Sequence, residues 1–122
     1  MDAEELKART KRFGLRIIKL VESLPTSRTS NVIGNQLLRS GTSVGSNYRA
    51  ACRGRSKPDF ISKAGIAIEE TDESLYWMEM LIESGIVPQE RFENLMNEAN
   101  ELIAILTASV KTARSNSSKE KG

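Results

Sequence analysis

A chain of 122 residues, 39% hydrophobic and 28% charged, has the size and balance of one small folded domain, which excludes a disordered or fibrous protein. The net charge is only +2, and a single cysteine, Cys52, excludes an intrachain disulfide and a paired-cysteine zinc site. Because the sequence contains no histidine, the usual general base of serine and cysteine nucleophiles is missing. No run of about 18 apolar residues exists to span a membrane, and we expect a cytoplasmic protein.

Apolar residues at alternating spacings of three and four predict a first amphipathic helix over residues 3–24. Pro25 ends this helix, because proline disfavours the α conformation in the residue before it. The predicted inward stripe is Leu6, Phe13, Ile17, Leu20 and Leu24, widened by Ile18 and Val21.

A second helix is predicted over residues 30–53, with Ser30 as its N-cap. Its low helix propensity is unusual, because glycines at positions 34, 41 and 45 each cost about 1 kcal/mol relative to alanine. We interpret the small residues as a surface for close packing against a neighbouring helix, with a ligand groove as the alternative. Ser43 and Asn47 are expected to join a half-buried polar network. The predicted core positions are Ile33, Leu37, Val44, Tyr48 and Ala51.

The third helix is predicted over residues 58–84, opened by Pro58 and ended by Gly85, and the fourth over residues 88–113. Residues 114–122 are polar and are expected to be a disordered tail. The third helix would bury Phe60, Ala64, Ala67, Ile68, Thr71, Leu75, Met78, Leu81 and Ile82. The fourth would bury Phe92, Leu95, Met96, Ala99, Leu102, Ile103, Leu106 and Val110.

Short connections between the four helices force sequential neighbours to run antiparallel. The sequence therefore predicts an all-α, up-down-up-down four-helix bundle over residues 1–113, without a sheet.

Three segments carry a resemblance to a known family: residues 38–51, rich in small side chains, residues 55–60, and the acidic stretch 70–81 that contains Trp77. In order and spacing they resemble the four-helix-bundle proteins also called 23S ribosomal RNA intervening-sequence proteins. That family is similar in fold to the accessory variability determinant of diversity-generating retroelements, which assembles as a ring-shaped homopentamer and contacts nucleic acid and a reverse transcriptase. The resemblance implies a homopentamer that binds RNA or DNA. It carries no agreed biochemical function.

Charge is distributed unevenly, with a net charge of +8 over residues 1–63 and −6 over residues 64–122. Such a distribution favours an anionic partner, or head-to-tail pairing between copies. The alternative is that the cations pair with carboxylates of the third helix, in the same subunit or in the next one. The candidate nucleic-acid-binding residues are Lys11, Arg12, Arg39, Arg49, Arg53, Arg55 and Lys57.

An enzymatic alternative comes from the acidic third helix, where Glu69, Asp72 and Glu73 share one face. This pattern resembles the magnesium-binding signature of MazG-type nucleotide pyrophosphatases, and Glu98 and Glu101 would supply further ligands. Carboxylates at this spacing are common on exposed helix faces, so we favour a non-enzymatic protein without a metal or cofactor.

Trp77 lies about 100° from the predicted core stripe of the third helix and is therefore expected to point outward. Tryptophan and methionine are enriched in buried interface cores, so Tyr76, Trp77 and Met80 are candidate residues of a subunit interface. A stacking platform for bases is the alternative. A protein partner other than a second copy is a further possibility that the sequence leaves open.

Overall fold

The computed structural model describes the backbone of residues 1–121 and the side chains of residues 1–116. Four helices follow one another: α1 Ala3–Glu22, α2 Arg28–Cys52, α3 Lys57–Glu83 and α4 Gln89–Lys121. They form an antiparallel up-down-up-down bundle, and the described backbone contains no strand. The predicted fold class is confirmed.

Side-chain caps set the helix starts, and one of them differs from the prediction. The carboxylate of Asp2 accepts the backbone N–H of Glu5 at 2.8 Å at the start of α1. At the start of α2 the cap is Ser27, whose hydroxyl accepts the backbone N–H of Ser30 at 3.1 Å. The prediction that Ser30 caps this helix was therefore wrong, because Ser30 lies inside the first turn and is buried.

The α3–α4 turn depends on a left-handed residue. Gly85 has a φ of 82°, a conformation that favours glycine, directly after the C-cap residue Ser84. The backbone N–H groups of Ile86 and Val87 both return to the carbonyl oxygen of Leu81, each at 3.1 Å. The glycine predicted at this helix end therefore has the expected role.

The end of α4 lies further along the chain than predicted. The helix continues to Lys121, whereas the sequence analysis ended it near residue 113 and expected a disordered tail over 114–122. Gly122 lies outside the described residues.

The main apolar core runs through the bundle and contains most residues of the four predicted stripes, whereas Ala51, Ala64 and Val110 pack in a second, smaller cluster. Phe13, Leu37, Met78 and Leu102 are fully buried, one from each helix. Ile18 belongs to neither cluster, and 38% of its surface remains exposed. Within the described residues, no helix is long and apolar enough to cross a membrane.

Packing follows the order of the helices along the chain. The pairs α1–α2, α2–α3 and α3–α4 pack extensively, whereas α1 and α4 touch only over a short stretch. In the described part of the chain, Cα atoms of α1 and α3 nowhere come within 8 Å of each other. The outer faces of α1 and α3 therefore lie at opposite corners of the bundle.

Glycines bring the backbones of α1 and α2 close together. A Cβ atom at Gly41 would lie 2.7 Å from the side chain of Ile17, and one at Gly45 would lie 3.2 Å from the backbone of Thr10 and Lys11. Both distances are shorter than ordinary van der Waals contact. The close-packing interpretation of the small residues in the second helix is therefore supported at these two positions.

Candidate nucleic-acid interface

The antiparallel topology gathers cations at one end of the bundle. There α2 ends, α3 begins and α4 passes, and Ala51, Ala64 and Val110 pack into one small apolar cluster. Exposed or half-exposed cations surround this cluster on three helices and on the α2–α3 turn. We call this group the basic end: Arg49, Arg53, Arg55, Lys57, Lys63, Lys111 and Arg114. Sequence analysis identified the first four, and only the topology places the last three beside them.

The α2–α3 turn holds its arginines on a defined backbone. The hydroxyl of Ser56 caps α3 by accepting the backbone N–H of Asp59 at 3.2 Å. The backbone N–H of Arg55 donates to the carboxylate of Asp59 at 3.4 Å. A Cβ atom at Gly54 would lie 3.0 Å from a carbonyl oxygen of α2, so the turn leaves almost no room for a larger residue. Arg53 and Arg55 consequently project into solvent from an ordered turn.

A surface groove of about 420 Å³ runs between α1 and α2. Gly14 and Gly45 line it where the two helices approach closely, and the cations Lys11 and Arg49 also line it. Arg12 is exposed but does not line this groove. The predicted cations are therefore not gathered in one place, because Lys11 and Arg49 line the α1–α2 groove, Arg53 and Arg55 lie on the α2–α3 turn, and Arg12 lies outside both.

Arg39 lies on a different side of α2 and pairs with α3. Its guanidinium donates to the carboxylate of Glu70 at 3.0 Å and to that of Glu73. The hydrogen bond to Glu73, followed by the charge of Glu70, raises the pKa of Arg39 above its ordinary value. At this position the alternative interpretation applies, since the cation is neutralised within its own chain. Arg39 is therefore a weaker candidate for phosphate contact than the arginines without an ion pair among the described residues, and its assignment stays a prediction.

A second arginine cluster, which the sequence analysis missed, joins α1 to α4. Arg9 donates to both carboxylate oxygens of Glu98, at 2.7 and 2.6 Å, and to Glu101 at 3.2 Å. The hydrogen bond with Glu98 raises the pKa of Arg9 above its ordinary value. Bidentate pairing fixes the relative orientation of two groups as well as stabilising them. This cluster bridges α1 and α4, which touch over a shorter stretch than the other three helix pairs in contact.

The carboxylates proposed as magnesium ligands do not converge. Glu73 pairs with α2 through Arg39, whereas Glu98 and Glu101 pair with α1 through Arg9. Glu69 and Asp72 are exposed on the outer side of α3. Among the described residues, no group of three or more histidine, cysteine, aspartate or glutamate side chains is arranged to hold a metal ion. Arginines engage Glu73, Glu98 and Glu101, which are three of the five carboxylates that the enzymatic alternative requires.

The predicted polar network has a different form in the structure. The amide of Asn47 donates to the backbone carbonyl of Ser43 at 2.9 Å, and the hydroxyl of Ser43 donates to the carbonyl of residue 39 at 2.7 Å. Both bonds stay within α2. The buried bond between helices is instead formed by Ser74, whose hydroxyl donates to that of Ser40 at 3.0 Å. The sequence does not show how α2 is aligned along α3, and without that alignment these two serines cannot be recognised as partners.

The three candidate interface residues do not share one face. Tyr76 and Met80 are 51% and 39% exposed. Trp77 is half-buried against the core, and its indole N–H donates to Glu73 at 3.4 Å. The expectation that Trp77 points outward was therefore wrong. Tyr76 stands edge-on to Trp77, with ring centroids 5.0 Å apart.

Tyr48 and Cys52 lie one turn apart near the basic end and belong to the packing of the fold. Tyr48 is buried and meets Phe60 edge-on, with ring centroids 6.5 Å apart. Burial raises the pKa of Tyr48 above its ordinary value, and the adjacent Cys52 side chain adds to the effect. Cys52 is half-buried and packs against the core. The buried Tyr48 ring therefore offers no surface on which a base could stack.

Comparison with known protein families identifies the family of this chain. The model of the 23S rRNA-intervening sequence protein family matches residues 4–108. The chain belongs to this family. The match begins in α1 and ends in α4, so it includes both arginine clusters and most of the basic end.

A solved structure is similar over nearly the whole bundle. It is a crystal structure of a protein of unknown function from the S23 ribosomal protein family of Bacteroides thetaiotaomicron VPI-5482. The two chains are 35% identical, with a TM-score of 0.85, over 91% of this chain and 99% of the other. Among curated proteins, none matches. Family membership therefore carries the fold, while the function has to be argued from the residues.

Proposed function

We propose that this intervening-sequence family protein is a non-enzymatic, self-assembling binding module that contacts the phosphate backbone of RNA or DNA through its basic end. The observation that carries the proposal is that Arg49, Arg53 and Arg55 present their side chains to solvent without an ion pair among the described residues. Arg9 and Arg39, in contrast, are both engaged by glutamates.

Arginine suits this role because its planar guanidinium can donate two parallel hydrogen bonds to a phosphate. The aromatic rings near the basic end, Tyr48 and Phe60, pack against each other and do not present a face on which a base could stack. The chemistry therefore favours contacts with the backbone, which position a nucleic acid without reading its sequence. Such binding weakens steeply as salt is added.

Self-assembly would strengthen a surface of this kind. The resemblance to ring-forming relatives suggests five copies, each with its own basic end. When several weak sites act on one strand, later contacts form at high effective concentration, and overall avidity exceeds the affinity of one site. The proposed stoichiometry is measured by light scattering or analytical ultracentrifugation against a monomer mass of 13.5 kDa.

The experiment is a titration of fluorescent single-stranded RNA and DNA by fluorescence anisotropy at two salt concentrations. The test variant is Arg53→Gln with Arg55→Gln. The matched control is Arg28→Gln with Arg91→Gln, which removes the same charge from exposed positions at the opposite end of the bundle. We expect the test variant to bind more weakly and its slope of log K against log salt to fall by about 1.4, since each lost phosphate contact on a single strand contributes about 0.7.

Equal weakening by the control variant would overturn the assignment to the basic end, because it would mean that net charge alone matters. A wild-type protein that binds neither RNA nor DNA at low salt would overturn the nucleic-acid proposal altogether. Measuring the assembly mass of each variant in the same buffer separates loss of the surface from loss of avidity.

A further inference from the structure

The outer face of α1 combines exposed apolar residues with unpaired cations. Leu15 and Ile18 are neighbours on this face and are 54% and 38% exposed. Lys11, Arg12 and Lys19 are exposed around them, and within the described residues none of the three forms an ion pair. This face borders the α1–α2 groove, which Leu15 and Ile18 help to line.

The outer face of α3 has the same layout with the opposite charge. Tyr76 and Met80 are its exposed apolar residues. Around them the exposed carboxylates Asp72 and Glu79 have no cationic partner in the described part of the chain. Moreover, α3 contains no lysine or arginine after Lys63.

The two faces share one spacing of charge and apolar side chain along their helices. Lys11 precedes Leu15 by four residues, and Asp72 precedes Tyr76 by four residues. Residues four apart are neighbours on one face of a helix, so each apolar centre has a charge directly beside it. A cation of one face therefore lies where a carboxylate lies on the other.

Neither face can satisfy the other within one molecule. The two helices stand at opposite corners of the bundle, and their Cα atoms nowhere come within 8 Å in the described residues. A contact between the α1 face of one copy and the α3 face of the next uses both faces of every molecule. Such a head-to-tail contact generates a closed ring when its rotation closes, and a filament when it does not.

We infer that the outer face of α1 docks on the outer face of α3 of a second copy, with Leu15 and Ile18 against Tyr76 and Met80. Lys11, Arg12 and Lys19 then face the carboxylates of α3. This inference rests on the self-assembly proposed above and supplies its interface. It assigns Lys11 and Arg12 to the contact between copies, so nucleic-acid binding is left to the basic end.

Charge reversal on each face tests the docking directly. One variant is Lys11→Glu with Lys19→Glu, and a second is Asp72→Lys with Glu79→Lys. Each gives like charges on the two faces that should meet, and we expect the dissociation constant of the assembly to rise at least about 100-fold. Analytical ultracentrifugation should then report the 13.5 kDa monomer at concentrations where the wild type is assembled. Because these four side chains form no ion pair among residues 1–116, circular dichroism should show unchanged helix content.

The decisive variant carries all four substitutions. Its α1 face is acidic and its α3 face is basic, so opposite charges meet again and the wild-type assembly mass should return. The matched control, Arg28→Glu with Arg91→Glu, should leave the assembly mass unchanged.

Three outcomes would contradict the inference. If both single-face variants assemble as the wild type does, the docking is wrong while self-assembly stands. If the wild type is a monomer throughout, both self-assembly and the docking fail. If Lys11→Glu with Lys19→Glu abolishes RNA or DNA binding without altering the assembly mass, the α1 face belongs to nucleic acid.

Discussion

The bundle contains two helix seams that are built on opposite principles. Between α1 and α2, glycines remove side chains so that backbones approach, and Ile17 packs directly over Gly41. Between α3 and α4, large apolar side chains such as Met78, Leu81 and Phe92 fill the space, and all three are fully buried. The first seam sacrifices helix propensity for close contact, whereas the second retains good helix formers and depends on side-chain volume.

This difference in packing predicts opposite responses of the two seams to mutation. Removing volume should damage the α3–α4 seam, because a cavity remains where the side chain was. Adding volume at the α1–α2 seam should lower the free energy of unfolding, because the two backbones are too close together to accept a larger side chain. Three substitutions test this contrast, and each is measured as a change in the free energy of unfolding.

The largest effect is expected for Phe92→Ala in the α3–α4 seam. Phe92 is fully buried in the core, so truncation should lower the free energy of unfolding by about 3–5 kcal/mol. Urea denaturation monitored by circular dichroism measures the change. The control Phe92→Leu keeps most of the volume and should lose considerably less. A loss below about 1 kcal/mol for the alanine variant would show that this seam does not depend on volume.

An intermediate effect is expected for Gly41→Val in the α1–α2 seam. The new side chain would overlap Ile17, and overpacking of this kind typically costs about 1–3 kcal/mol. Replacing Ile17 with alanine in the same chain should recover part of the loss. A double-mutant cycle measures that coupling, and additive effects of the two changes would exclude the direct clash.

The smallest effect, with the opposite sign, is expected for Gly65→Ala in α3. A Cβ atom at Gly65 would have no neighbour within 4 Å, so the variant gains helix propensity without a clash. The free energy of unfolding should rise by up to about 1 kcal/mol. Gly41→Ala makes the identical chemical change where a Cβ atom would meet Ile17 at 2.7 Å, and it should fail to stabilise. If both alanine variants change the free energy of unfolding by the same amount, the contrast between the crowded position 41 and the open position 65 is wrong.

Much of the architecture was predictable because helical periodicity marks the buried side of each segment. Every core position predicted on the second helix is buried. Errors concentrated at positions whose environment depends on a neighbouring helix. Ile18 continues an apolar pattern but lies beside the α1–α2 groove, and Trp77 departs from the core stripe yet packs against the core beside Glu73.

The candidate site was predictable only in part. A basic turn followed by a helix start can be recognised along the chain, and Arg53 and Arg55 indeed lie on such a turn. Nothing along the chain separates Arg39 from these two, although Arg39 is paired with Glu70 and Glu73 on α3. Arg39 lies more than 30 residues before Glu70 and Glu73 in the sequence, and only the antiparallel packing of α2 against α3 brings the three side chains together.

The sequence by itself determined the number of helices, the side of each helix that enters the core and the glycine that follows the end of α3. These properties depend on local conformational preference and on burial of apolar surface, both of which repeat within a few residues. Only the tertiary structure decided which charges remain available. Arg9 of α1 is held by Glu98 of α4, 89 residues further along the chain, because electrostatic partners are chosen by distance in space. Lys111 belongs to the basic end because Val110 packs with Ala51 and Ala64.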